Sequence, residues 1–216
     1  MNLAWLQANA AQITSWFGIH AVLAATPLVI GLALALPLGW LANRYRVLYT
    51  PLVTCSGLLY TIPSLALFVL LPGILGTQIL DPVNVVAALS VYTVALLVRV
   101  VADGLASVPP DVEQSARAMG YREFGRVVRV ELPIAVPVIA AGMRVAAVTN
   151  VSLVSVAAVI GVPELGQLFT EGFQLAFYTP IVTGIVLCVL MALAFDGAVV
   201  GLARWLTPWR RAGSAT

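Results

Sequence analysis

Residues 111–131 read "DVEQSARAMGYREFGRVVRVE" and lie between two long apolar runs. The stretch holds four arginines (Arg117, Arg122, Arg126, Arg129) and four acids (Asp111, Glu113, Glu123, Glu131). The whole chain has 11 basic and 9 acidic side chains, so 21 of its 216 residues hold eight of them. Elsewhere the chain is greasy: 61% of all residues are hydrophobic and 9% charged, against about 25% charged in soluble domains. A soluble globule of this size could not cover its exterior with so few polar groups. Lipid is the solvent for most of the chain, which makes 111–131 a loop at one membrane face. A net charge of +2 gives no case for a nucleic-acid partner.

Five segments are apolar enough over about 20 residues to span a bilayer as helices: about 20–42, 52–71, 83–105, 135–160 and 179–206. The expected fold is therefore all-α and polytopic. Pro63 inside the second span predicts a kink or break. Arginines follow span one (Arg44, Arg46), fill the loop between spans three and four, and close the chain (Arg204, Arg210, Arg211), whereas the segments 1–19, 72–82 and 161–178 have none. The positive-inside rule then puts the amino terminus outside and the carboxyl terminus in the cytoplasm. "NLAWLQANAAQITSWFG" is half polar with Trp5, Ile13, Trp16 and Phe17 as apolar points, and reads as an amphipathic helix on the outer surface. No cleavable signal is expected, and span one serves for insertion. The organisation is thus an outer segment 1–19, a membrane domain 20–206 containing the loop 109–133, and a cytoplasmic tail 207–216.

The loop has a built character. Pro109-Pro110 end span three, and Asp111 with Gln114 matches a capping box. Val112, Ala116 and Met119 recur at helical spacing, and Gly120 suits the position after a helix end. A second helix follows, with Phe124, Val127 and Val128 on one face and Arg122, Arg126 and Arg129 on another, until Pro133. Small residues (Ser115, Ala116, Ala118) allow close approach by another protein. An anionic-lipid-binding loop would account for the arginines, but not for the interleaved acids, the cap or the hinge.

Gln114-Ser115-Ala116, Gly120 and Val130-Glu131-Leu132-Pro133 together resemble the EAA loop of the permease subunits of ABC importers. Gln114 stands where that pattern has Glu, and Ser115 where it has Ala. The stretches 58–76 and 132–173 are similar to the osmoprotectant branch, whose solutes are glycine betaine, choline, carnitine or proline betaine. Pro163-Glu164 departs from the pair of small residues expected there. The likeness extends from His20 to about Trp205. It implies the type I importer permease fold in a bacterial inner membrane, and ATP-driven import that depends on a separate extracytoplasmic binding protein. It also implies a second permease copy, identical or paralogous, and two cytoplasmic ATPase subunits that hold ATP and magnesium. Docking to those subunits falls to Glu113, Gln114, Ser115, Ala116, Arg117, Met119, Gly120, Arg122 and Phe124. The solute pathway falls to Thr61, Pro63 and Ser64 of span two and to Asn150 and Ser152 of span four, near Thr149 and Ser155. Interhelical hydrogen bonds are the other use of those polar side chains.

The chain carries no G-x-x-x-x-G-K-[ST] phosphate loop, so no ATPase activity and no cofactor or metal of its own are expected. Cys55 and Cys188 lie in apolar runs without ligand or disulfide spacing and read as small buried hydrophobes. Asp196 in span five needs a partner, with Arg99 or Arg144 as candidates, although Asp103 is placed to take Arg99 at i,i+4. His20 reads as an interfacial cap on span one. Competing functions are a permease for methionine or taurine, an ion-coupled secondary carrier, which would want midplane ionisable groups and repeats, and a scaffold without transport.

Overall fold

The computed structural model describes residues 2–209. The carboxyl-terminal tail expected over 207–216 lies outside the described residues from Arg210 onward, together with Arg210 and Arg211 themselves. Helices α1 (Leu3–Arg44), α4 (Pro82–Ala106) and α9 (Tyr178–Leu206) are long and apolar enough to span a membrane, as is the helical run 123–160 that contains α7 (Leu132–Val154). The bent pair α2 (Arg46–Thr61) and α3 (Ser64–Leu75) makes a fifth.

α1 begins at Asn2, whose side chain accepts from the Trp5 amide at 3.2 Å. Its 42 residues extend about 63 Å, twice the hydrocarbon thickness of about 30 Å. The amphipathic amino-terminal segment is helical, but residue 19 is no boundary, because the helix runs straight on into the span. Its apolar points are taken by the protein rather than by lipid. Trp16 is buried, Ile13 and Phe17 pack on the core, and Trp5 meets the Phe177 ring edge-on at 5.8 Å.

α4 is the central helix. Asp81 caps it by accepting from the Val83 amide at 2.9 Å, with Pro82 in the first turn. α1 lies against it so closely that a methyl added at Gly31 would collide with Thr93, and one at Gly39 with Val101. Such small residues let membrane helices approach backbone to backbone. α7 closes on α4 in the same way through Gly142 and Val100.

Span two breaks at Ile62-Pro63, where α2 and α3 meet at 102°. Proline has no amide hydrogen and drives the preceding residue to extended geometry, and Ile62 is extended at φ −66°, ψ 130°. The Ile62 carbonyl, excluded from any helix, accepts from the Tyr92 hydroxyl of α4. Cys55 is exposed on α2 rather than buried, while Cys188 on α9 is half-buried.

The charged stretch forms α5 (Pro110–Ala118), α6 (Glu123–Arg126) and a five-residue π turn, Val127–Glu131, that leads straight into α7. Pro133 therefore does not end this helix, contrary to the sequence expectation. A proline inside an α-helix lacks its hydrogen bond and clashes with the carbonyl four residues back. The π turn, in which the Leu132 amide bonds to the Val127 carbonyl five residues back, widens the coil just before Pro133 and so accommodates it. α7 continues into a 3-10 turn, Ser155–Ile160, and then α8 (Gln167–Gln174), a short helix after the Pro163-Glu164 turn.

Candidate functional site

α5 ends in a Schellman arrangement: the Gly120 amide donates to Arg117 O at 3.0 Å and the Tyr121 amide to Ala116 O at 3.1 Å. Gly120 sits at φ +83° with open space around it, so backbone geometry, not crowding, requires glycine there. The expected capping box is absent, since Pro109 holds the cap position without a side-chain bond. Asp111 and Glu113 instead lie in the first turn, where the helix dipole favours acids.

Ion pairs staple this loop to the body. Glu113 of α5 meets Arg126 at 3.2 Å and Arg117 at 3.7 Å, and Arg126 also bonds Glu131. Arg44, at the end of α1, pairs with Glu123. Arg126 and Glu131 are buried, and the hydrogen bond from Arg126 to Glu131 pushes the guanidinium above its ordinary value. The expected common face of Arg122, Arg126 and Arg129 is therefore broken. The π turn stacks residues five apart, which brings Glu131 under Arg126 and turns that arginine inward. These groups, with Trp40 and Asn43, line a cavity of about 550 Å³.

Of the residues assigned to docking, Ala116 is turned into the protein at 1% exposure and cannot be touched from outside. The apolar face of α5 packs inward, and Ala116 is its centre. Glu113 is half-buried in the ion-pair network. Gln114, Ser115, Arg117, Met119, Gly120, Arg122 and Phe124 are exposed. Phe124, at 80% exposure, and Met119, at 69%, are large apolar side chains standing free on a charged surface.

The polar residues of the spans divide. Asn150 takes the interhelical use. It is buried, donates to Thr93 Oγ1 at 3.1 Å, and ties α7 to α4. Ser152 is exposed and lines a cavity of about 290 Å³ with Ser155, Phe169 and Cys188. Thr61, Pro63 and Ser64 form the α2–α3 corner, with the Thr61 hydroxyl turned back to Leu58 O at 2.7 Å. Arg144 and Asp196 join α7 to α9 through two parallel hydrogen bonds, Nε to Oδ1 at 2.6 Å and Nη2 to Oδ2 at 2.9 Å. Arg99 reaches Asp103 at 3.4 Å, and Asp103 also accepts from the Tyr49 hydroxyl at 2.8 Å.

His20 is not interfacial. It is fully buried, with Nδ1 at 2.7 Å from Glu164 Oε2 and Nε2 donating to Val151 O at 2.9 Å. The Gly166 amide donates to the same carboxylate oxygen at 2.7 Å. No local pattern joins residues 144 positions apart. The one available signal was an acid, Glu164, in a turn where the likeness led one to expect a small residue.

Comparison with known proteins places these features in context. The profile of the family described as "Binding-protein-dependent transport system inner membrane component" matches residues 28–212. The osmoprotectant import permease protein OsmW of Salmonella typhimurium is 33% identical over 203 residues, covering 93% of this chain and 94% of its own. The choline transport system permease protein OpuBD of Bacillus subtilis is 27% identical, covering 94% and 89%. Among solved structures, the inward-facing MetNI methionine ABC transporter superposes with a TM-score of 0.79 at 21% identity, over 93% of this chain and 98% of that one. An amino acid ABC transporter crystallised with histidines superposes with a TM-score of 0.76 at 16% identity, over 94% and 98%.

Proposed function

The chain belongs to the family of binding-protein-dependent transport system inner membrane components, and from that premise we propose that it is the membrane subunit of an ATP-driven osmoprotectant importer. Its solutes are small quaternary ammonium compounds such as glycine betaine, choline, carnitine or proline betaine, in keeping with the names of its relatives. A separate binding protein delivers the solute on the outer side. Two cytoplasmic subunits hold ATP and magnesium and hydrolyse the nucleotide. A second permease copy, identical or paralogous, completes the pathway.

The observation that carries this reading is the stapled loop. Alternating access needs a stiff lever, since a flexible connection would absorb the motion of the ATPases. Here the exposed Met119 and Phe124 stand on a surface pinned to α1 by Arg44–Glu123 and to the π turn by Glu113–Arg126–Glu131. The same helical run enters the membrane as α7. Force applied at Phe124 therefore reaches the middle of the bilayer through one rod. The loop lies on the cytoplasmic side in this reading, with the amino terminus outside and the carboxyl terminus inside, which the arginine distribution supports.

Reconstitution tests it. In vesicles holding this chain, its ATPase subunit and its binding protein, uptake of labelled glycine betaine should need all three components and ATP. Uptake driven by an ion gradient without ATP would overturn the proposal in favour of a secondary carrier.

A further inference from the structure

Charged side chains within an apolar span are costly unless they meet each other, water or protein. Arg144 is twelve residues into α7 and Asp196 ten residues from the end of α9, or about 18 Å and about 15 Å along the helices. Both therefore lie inside helices long and apolar enough to span a membrane. They are nevertheless open, with side chains 49% and 26% exposed. A pair that only joined two helices would be shut between them, as His20 and Glu164 are at 0% each. An ion pair left open on the side of a span calls for water or protein at its exposed face.

The surface beside it is mainly apolar, with hydroxyls at intervals. Arg144, Val148, Ser152 and Ser155 follow one another at four, four and three residues, one stripe of α7. Arg144, Thr149 and Asp196 line a cavity of about 390 Å³ that shares Val148 with the cavity lined by Ser152 and Ser155. The groove between α7 and α9 thus runs from the ion pair towards the 3-10 turn.

We propose that this groove is a wall of the solute passage and that Arg144 and Asp196 together form a transit contact for a zwitterion bearing a carboxylate and a quaternary ammonium. The proposal rests on the importer reading above and assigns the solute class of its pathway. A guanidinium has five N–H donors, and Asp196 occupies only those on Nε and Nη2. The others are free to donate to a solute carboxylate. Asp196 retains lone pairs and negative charge for the ammonium, which has no hydrogen to donate and needs only an opposite charge. The pair is neutral as a whole, so it holds a neutral dipole in one orientation without trapping a bare ion of either sign.

The test uses the complete transporter in vesicles. Unmodified protein must first import glycine betaine with ATP; failure there strikes the importer reading, not this one. Arg144→Gln with Asp196→Asn should lower uptake at least tenfold while the ATPase subunit still co-purifies. The exchanged pair, Arg144→Asp with Asp196→Arg, remakes a salt bridge but reverses its polarity, and uptake should stay at a tenth or less. Recovery to the unmodified rate would make the pair merely structural and overturn the proposal. Should the exchanged pair fail to assemble, Ser152→Cys in a background of Cys55→Ser and Cys188→Ala still decides. Its thiol should react with a membrane-impermeant reagent and be protected by saturating solute during turnover. A thiol that stays unreactive means the groove is sealed by lipid or by a second copy, which also overturns the proposal.

Discussion

Glu164 Oε2 stands 2.7 Å from His20 Nδ1, and the two residues close α1 against the turn ahead of α8 with no solvent access to either side chain. The imidazole is fixed from both sides, because its Nε2 donates to Val151 O, and the carboxylate is held by the Gly166 amide. The second carboxylate oxygen, Oε1, is buried without a partner. Glu164→Ala would therefore leave His20 Nδ1 unsatisfied in the core, at a cost of about 1–3 kcal/mol. Thermal unfolding of the detergent-solubilised protein should shift down by several degrees. The double variant His20→Ala, Glu164→Ala should lose less than the sum of the singles, as contacting pairs do. Strict additivity would mean that the two do not interact.

Gly120→Ala and Gly120→Pro separate space from conformation. Alanine meets no neighbour there but must adopt φ +83°, a strain of about 1–2 kcal/mol. Proline cannot adopt that angle at all and also deletes the amide that bonds Arg117 O. Uptake in reconstituted vesicles should fall severalfold for alanine and be abolished for proline, with membrane insertion retained in both. Normal uptake with proline would remove the loop from the coupling path.

Phe124→Ala isolates docking from stability. The ring is 80% exposed, so its removal should leave the melting temperature within a degree. Exposed aromatic anchors at interfaces commonly contribute 1–2 kcal/mol or more, so affinity for the ATPase subunit should drop about tenfold, read by titrating that subunit onto permease-containing membranes. Unaltered affinity would mean that the ATPase seats elsewhere.

How much of this was legible in the sequence varies with the range of the interaction. The five spans, the break at Pro63 and the glycine turn at 120 follow from local signals: apolar length, a missing amide, a positive φ. The inward turn of Arg126 does not, because a helical wheel drawn at 3.6 residues per turn carries no π turn. On its own helix Asn150 suits a lumen or an interhelical bond equally, and it takes Thr93 on α4 and Ala24 on α1 to show the bond. His20 and Glu164 needed the tertiary fold to meet. The amino-terminal segment is legible as an amphipathic helix, but the meeting of Trp5 with Phe177, far along the chain, is not.

Tyr92→Phe tests the broken span. The Tyr92 hydroxyl satisfies the Ile62 carbonyl that the Pro63 break frees, and the ring also meets Tyr60 edge-on at 5.6 Å. Phenylalanine keeps the ring contact and removes only the donor. The expected loss is about 1 kcal/mol, seen as a small fall in melting temperature together with faster proteolysis at the α2–α3 corner. An unchanged corner would show that water supplies the missing bond.

Pro133→Ala bears on the lever itself. Proline excludes the ordinary α-helical bond to Arg129, and the π turn over Val127–Glu131 accommodates it. Alanine removes that need and adds about 3 kcal/mol of intrinsic helix preference, so the run should relax towards regular α-helix. In that register residues five apart point about 140° away from each other, which would pull Glu131 from beneath Arg126 and turn α5 and Phe124 relative to α7. The protein should then melt no lower than before while uptake falls sharply, because the rod is intact but its handle is wrongly set. The Arg126–Glu131 contact gives an independent readout: Arg126→Gln should cost more stability in the parent than in the Pro133→Ala background, where the contact to Glu113 alone could remain. Equal costs in both, with uptake undiminished, would mean that the π turn survives without the proline and that its register is dictated by the ion pairs alone.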